Sequence, residues 1–332
     1  MGSSTILLIF TILITFSFSG ATKPKPKGLS FSFYNKTCPP LEDIVRDALA
    51  PVFSEDPTSP AALLRLMFHD CQVQGCDASI LIDLSNVPSL MPSEIGASKN
   101  FGIRKRESIN MVKSVVESVC PRQVSCADLI VLAAREAVAV SGGPKIHVPL
   151  GRRDSTSTLG SEAADASLPS ADIGVHEALR LFAKLGMNTE EAVAIMGSHT
   201  LGVTHCLNIM NRLYMPHGKK SSKMDPDFEV ALKVICPESI TAFQNASFVF
   251  NDPTTFRFDN RYYKNSIAGR GILKIDTELA FNPTTAPFVQ QFAAYREDFF
   301  QAFGSAFVKL SYAGVLTGNN GIIRSMCNSV NF

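Results

Sequence analysis

Residues 65–79 read RLMFHDCQVQGCDAS, and the rest of the chain is most simply understood as support for this stretch. The run leading into it, Ala61 to Phe68 (AALLRLMF), is apolar and rich in helix formers, which predicts a buried helix. On that helix Arg65, Phe68 and His69 fall at i, i+3 and i+4 and share one face. A buried guanidinium without a partner is costly, so this face is expected to line a polar cavity or a ligand. The helix is then expected to stop. Asp70 opens a loop that Cys71 and Cys76 are placed to close as a small ring. Within it Asp70, Asp77 and Ser79 offer side-chain oxygens, and Val73 and Gly75 offer carbonyls. Closely spaced oxygens on a stiff loop suit a hard cation, above all calcium. The EF-hand pattern is absent. Asp70 alone reads as an Asx-turn ending a helix, but with Asp77 and Ser79 at alternate positions the set reads as a calcium site.

The chain has 332 residues, enough for one large domain or two lobes around a shared core. A formal charge of +1 gives no electrostatic case for a nucleic-acid partner. Leu7 to Phe18 is apolar and ends in Ser19-Gly20-Ala21, which marks residues 1–21 as a secretory signal, although no Lys or Arg precedes it. It is too short to span a bilayer, no second stretch reaches that length, and no lipid-anchor tail closes the chain. The expectation is a secreted, extracellular protein without a membrane span. Residues 22–28, with KPKPK at Lys23 to Lys27, read as an extended linker ahead of one domain over residues 29–332. Eight cysteines behind a signal imply a disulfide framework, and the absence of any C-x-x-C pair weakens a zinc reading. Asn35-Lys36-Thr37 and Asn245-Ala246-Ser247 are glycosylation acceptors.

Leu41 to Phe53 predicts an amphipathic helix. Residues 83–100, with Pro88, Pro92, Glu94 and Asn100, form a long irregular segment of the kind that carries function. Ile103 to Val119 is helical, and its basic run Arg104-Lys105-Arg106 reads as a solvated face. Ser125 to Asp128 reads as a capping box ahead of Leu129 to Val140, the strongest buried-helix signal here. Asp128 is placed either to cap or to pair with Arg152 in the turn at residues 148–154. Asn188 with Glu191 caps a helix that runs into Gly197-Ser198-His199-Thr200. A lone histidine at a helix end is ordinarily structural. Thr200 with Asn251, Asp252, Thr254 and Asp259 makes a second oxygen-rich set suited to calcium, ahead of a helix at Tyr262 to Ala268. Asp276 lies in an apolar, strand-like context and needs a partner. No segment alternates over several strands, so the architecture is mainly α.

Taken together, Arg65, Phe68-His69-Asp70-Cys71, Gly75-Cys76-Asp77-Ala78-Ser79, Val124 to Asp128, Val148 to Asp154 and His199-Thr200 resemble the secretory plant (class III) haem peroxidases, in order and spacing, over roughly residues 29–327. The resemblance implies a two-lobed helical fold with one haem b between the lobes, two calcium ions and a monomer. It implies four disulfides, Cys38–Cys120, Cys71–Cys76, Cys126–Cys327 and Cys206–Cys236. It makes His199 the proximal iron ligand, Asp276 its acid partner, and Arg65, His69 and Asn100 the distal group, with Phe68 beside the haem. Asp70, Val73, Gly75, Asp77 and Ser79 match the distal calcium site, Glu94 reaching it through water, and Pro169 matches the proline lining the donor site. Four departures stand out. Gln72 replaces the usual Phe, Ile146 the usual Trp, and Asn251 the Asp that opens the proximal calcium motif. Lys105-Arg106 replaces the Gly-Phe after Arg104.

The implied activity is reduction of hydrogen peroxide with one-electron oxidation of small aromatic donors in the cell wall or apoplast. His69 takes a proton from peroxide and Arg65 stabilises charge on the departing oxygen. Two competitors are a haem- and calcium-binding protein without turnover, and a zinc hydrolase built on His199 and His205, which lacks an H-E-x-x-H motif.

Overall fold

The computed structural model describes residues 25–83, 93–214, 223–239 and 247–329. The leader, Pro88, Pro92 and the Asn245 acceptor lie outside these residues.

The first group of helices is α1 (Leu41–Glu55), α2 (Ser59–Gln72), α3 (Arg106–Val119) and α4 (Cys126–Val140). α4 is largely apolar, so it must be central, and its residues from Cys126 to Val138 are all buried. α1, α2 and α3 each pack against it. The second group is α5 (Ser161–Ser167), α6 (Val175–Lys184), α7 (Thr189–Met196), α8 (Met210–Tyr214), α9 (Pro226–Ile235), α10 (Arg261–Ile267), α11 (Lys274–Glu278), α12 (Ala286–Ala294) and α13 (Arg296–Leu310). There α7 packs on α13, and α10 on α11 and α12. The only described strands, β1 (Val203–His205) and β2 (Phe248–Phe250), pair antiparallel. The expected mainly helical fold is what the chain adopts.

Four disulfides fix the groups, at Cys38–Cys120, Cys71–Cys76, Cys126–Cys327 and Cys206–Cys236. A fully buried ion pair, Arg152 Nη1 to Asp128 Oδ1 at 2.8 Å, ties α4 to the turn behind it. Asp128 also accepts from Tyr34 Oη and Gly151 N, at 2.8 and 2.7 Å, while Ser125 alone caps α4. Arg152 continues to the Ser311 carbonyl at the end of α13 and so joins the two groups. The capping box expected at Ser125 to Asp128 is therefore only half formed, because the Asp128 carboxylate is spent on the pair. Nor is the basic run at 104–106 simply a solvated face: Arg104 and Lys105 both hold Asp56, at 2.9 and 3.1 Å. Among the described residues no helix is long and apolar enough to cross a membrane.

Candidate active site

α2 continues to Gln72, so Asp70 sits in its last turn instead of opening a loop. Leu63, Leu66 and Met67 are buried, and packing against α4 carries the helix past the expected stop. Arg65 and His69, one turn apart, meet: Arg65 Nε donates to His69 Nε2 at 3.1 Å. The other ring nitrogen, Nδ1, lies 2.6 Å from Asn100 Oδ1. With Nε2 accepting, the ring proton is on Nδ1 and donates to Asn100. Asn100 Nδ2 donates to the Glu94 carbonyl at 2.7 Å, which fixes the amide's orientation. Arg65 is held on its far side by the carbonyls of Phe101 and Lys99, at 3.1 and 3.2 Å. Burial, and next the adjacent Arg65 charge, lower the His69 pKa to about 3, the Asn100 hydrogen bond opposing weakly. Burial lowers Arg65 to about 10. At neutral pH the pair is a neutral imidazole beside a charged guanidinium.

His199 stands in a tight turn, Gly197–Thr200, that follows directly on α7. Its Nδ1 lies 2.9 Å from Asp276 Oδ1. Asp276 is not strand-like, as its sequence context suggested; it sits in the first turn of the short helix α11. That turn lets Oδ2 accept from Leu273 N at 2.8 Å, while Oδ1 also accepts from Tyr262 Oη at 3.0 Å. Burial pulls the His199 pKa down, but the Asp276 charge and hydrogen bond outweigh it and the net shift is upward. The Arg65 charge on α2 acts weakly against that rise. The His199 side chain is 38 % accessible, and Nε2 is the ring nitrogen that Asp276 does not take. Phe68 is half-buried, its ring 5.8 Å from His69 and 6.3 Å from Phe182. Pro169 is half-buried just beyond α5.

The loop after α2 makes the first cradle. Asp70 Oδ2 accepts from Ala78 N and Asp77 Oδ1 from Ser79 N, at 3.1 and 3.0 Å. Asp70 Oδ1, Ser79 Oγ and Glu94 Oε2 are buried and meet no donor or acceptor. Burial, then Asp77, pushes the Asp70 pKa well above the carboxylate range, and burial raises Asp77 and Glu94 too. Partnerless oxygens in an acidic, desolvated cluster fit a hard cation. The loop's path also needs two glycines in contact. A Cβ on Gly75 would overlap the Gly314 backbone, and one on Gly314 would overlap the Gln74 carbonyl.

The second cradle differs from its sequence reading. Asp252 Oδ2 accepts from Thr200 Oγ1 at 2.7 Å, and Thr254 Oγ1 reaches Asp252 Oδ1 and Asp259 Oδ1 at 3.0 and 3.2 Å. Asn251 is not part of this group. Its Oδ1 accepts from Thr204 Oγ1 at 2.7 Å and its Nδ2 donates to the Leu201 carbonyl at 2.8 Å, so the amide staples β1 to the chain before it. Among the described residues no group of three or more His, Cys, Asp or Glu side chains is placed to hold a metal ion by itself. Both cradles depend on hydroxyls as well as carboxylates.

Two participants were missed in the sequence. Tyr262 shares Asp276 with His199. Arg324 is fully buried, donates Nη2 to the Ala78 carbonyl at 2.6 Å, and places its charge among Asp70, Asp77, Glu94 and Asp154. The available signal was its position three residues before Cys327, which a disulfide pins to Cys126.

The peroxidase family model matches residues 45–295. Peroxidase 29 of Arabidopsis thaliana is 51 % identical over 330 residues, covering 99 % of this chain and 96 % of that one. Peroxidase 57 of the same plant is 38 % identical over 99 % and 98 % of the two chains. Basic peroxidase of Zinnia elegans is 36 % identical over 98 % of each. With Arg65 paired to His69 and His199 to Asp276, this chain belongs to the class III plant peroxidases, haem enzymes that reduce hydrogen peroxide.

Proposed function

We propose that this protein oxidises small phenolic donors outside the cell, with one haem b held by His199 and two calcium ions held by the two cradles. His199 Nε2 is the nitrogen that would hold the iron, and Phe68 would offer an apolar ring to the macrocycle. When bound, haem supplies the metal at which peroxide is reduced and the store of oxidising equivalents for the donor. Asp276 keeps the His199 proton on Nδ1 and makes the ring a stronger electron donor. His69 takes the proton from the near oxygen of peroxide at Nε2 and returns it to the far oxygen, which leaves as water. That lone pair is engaged by Arg65 Nε, so peroxide enters by displacing the guanidinium, which then stabilises charge on the leaving oxygen. Asn100 holds the tautomer that makes this possible. Overall one peroxide takes one electron and one proton from each of two phenols, giving two waters and two phenoxyl radicals.

The distal calcium is held by Asp70, Val73, Gly75, Asp77 and Ser79, with Glu94 beyond them. Thr200, Asp252, Thr254 and Asp259 hold the other, and Pro169 borders the donor site. The mature protein is a secreted monomer with one domain over residues 29–332, and the Asn35 acceptor is exposed.

The observation that carries this reading is the chain from Glu94 through Asn100 to His69 and Arg65. The test is paired. His199→Ala should lose its Soret band, whereas His69→Ala should keep haem and lose peroxide-driven guaiacol oxidation. Equal haem retention and equal rates in both variants would overturn the assignment, and haem binding without turnover in the wild type would favour the non-enzymatic competitor.

A further inference from the structure

The outer face of the β1–β2 pair plays no part in the reading above. Strand alternation buries Thr204 and Val249 and sends Val203, His205, Phe248 and Phe250 to the other face. Register sets His205 opposite Phe248 and Val203 opposite Phe250. The rings continue at both ends. Phe101 meets His205 edge-on at 5.1 Å, Phe248 meets Phe250 at 6.0 Å, and Phe250 meets Phe256 at 6.2 Å. Phe101, Phe248, Phe250 and Phe256 are 38, 45, 55 and 49 % exposed. Single exposed apolar residues need no explanation, but a contiguous strip of rings does.

The strip begins at the active site. The Phe101 carbonyl takes Arg65 Nη1 at 3.1 Å. At Gly102 a Cβ would stand 3.0 Å from His205 Nε2 and 3.5 Å from Arg65 Nη1. The guanidinium and the inner end of the strip are therefore neighbours. A single phenol ring needs only that inner end. Rings arranged in series outward from it match a molecule whose own rings are in series.

We propose that this strip is a binding platform for donors of two or more linked phenolic rings. One ring reaches the site while the next stacks along His205, Phe248 and Phe250. The proposal rests on the peroxidase reading and names its donor class. Each added ring contact should strengthen binding by roughly two- to tenfold.

The test uses the haem-loaded enzyme with guaiacol, one ring, and guaiacylglycerol β-guaiacyl ether, two rings. Phe248→Ser and, separately, Phe256→Ser should lower the two-ring to one-ring ratio of kcat/KM, through KM, by roughly five- to tenfold for Phe248 and less for Phe256. Val234→Ser, on the 78 % exposed Val234 of α9, should leave the ratio where it was. An unchanged ratio in both strip variants, or an equal fall in the Val234 control, would overturn the platform. So would a fall in sedimentation coefficient with no change in ratio, which would make the strip a contact between copies of the chain. If the wild type oxidised neither donor, the peroxidase reading itself would fail; if it oxidised both and the ratio did not move, only the platform would.

Discussion

His69 Nδ1 lies 2.6 Å from Asn100 Oδ1, and this contact decides which nitrogen of the ring is basic. Because Asn100 is itself fixed by the Glu94 carbonyl, it cannot turn to offer its NH2 group instead. Asn100→Ala should therefore leave haem binding intact and slow the reaction with peroxide on the order of 10- to 100-fold, as for other groups that orient a reactive residue. Rapid-mixing kinetics check this, and a rate equal to wild type would contradict it.

The depressed His69 pKa, about 3, sets the pH dependence. The imidazole is neutral from alkaline pH down to that value, so the peroxide rate should be flat through neutrality and fall only in strong acid. Arg65→Leu removes a charge that lowers the pKa, so its acid limb should move to higher pH. Linkage gives a second sign. Unfolded, this histidine protonates near 6.5, and folded it resists until about 3. Between those values the unfolded state holds more protons, so stability is lost as pH falls, on the order of 1 kcal/mol per pH unit. An acid limb near 6.5 would contradict the burial of this ring.

The first cradle and the distal group share Glu94. Its Oε2 lacks a partner in the acidic cluster, while its carbonyl holds Asn100. Chelation should lower the thermal midpoint and also slow the peroxide reaction, and added calcium should restore both. If only stability changed, the path through Glu94 would be wrong.

At the second cradle Asn251 stands where the resemblance places a carboxylate. The structure puts Asp252 among Thr200, Thr254 and Asp259 and gives Asn251 a separate role. Asp252→Asn should therefore lose the ion, whereas Asn251→Asp should not tighten it. Asn251→Asp should instead cost about 1–3 kcal/mol, since the Leu201 carbonyl loses its donor. Metal analysis and denaturation of the two variants separate these outcomes.

Asp128 and Arg152 are both fully buried and bonded at 2.8 Å. Asp128→Ala should destabilise the fold by about 3–5 kcal/mol, because the guanidinium remains buried without its partner. A loss below about 1 kcal/mol in chemical denaturation would show that the remaining carbonyl contacts suffice.

Legibility followed distance along the chain. α4 and α7 were readable because cap and apolar run are adjacent, and Asn188 with Glu191 does form its capping box. Arg65 and His69 were readable as one helix face. The end of α2 was not, since packing on α4 overrides the local stop signal at Asp70. Asp276 was misjudged because α11 has five residues, too few to display a helical period. Arg324 carried only the indirect signal of its place near Cys327, because its partners Asp154 and Ala78 lie 170 and 246 residues away. Asn251 and Asp252 were indistinguishable because neighbouring oxygens differ only in where the backbone aims them.

If His69, not Arg65 or Asn100, carries the peroxide proton, one series measures it. Stopped-flow rates for peroxide reacting with the haem-loaded enzyme should fall in a graded order. His69→Ala should lose more than the ~10²–10⁴-fold typical of a single acid–base step, since the ring acts twice. Arg65→Leu should lose roughly 10²–10³-fold, as for one electrostatic donor. Asn100→Ala should lose least. A His69→Ala enzyme as fast as Asn100→Ala, or an Arg65→Leu enzyme as fast as wild type, would contradict the account.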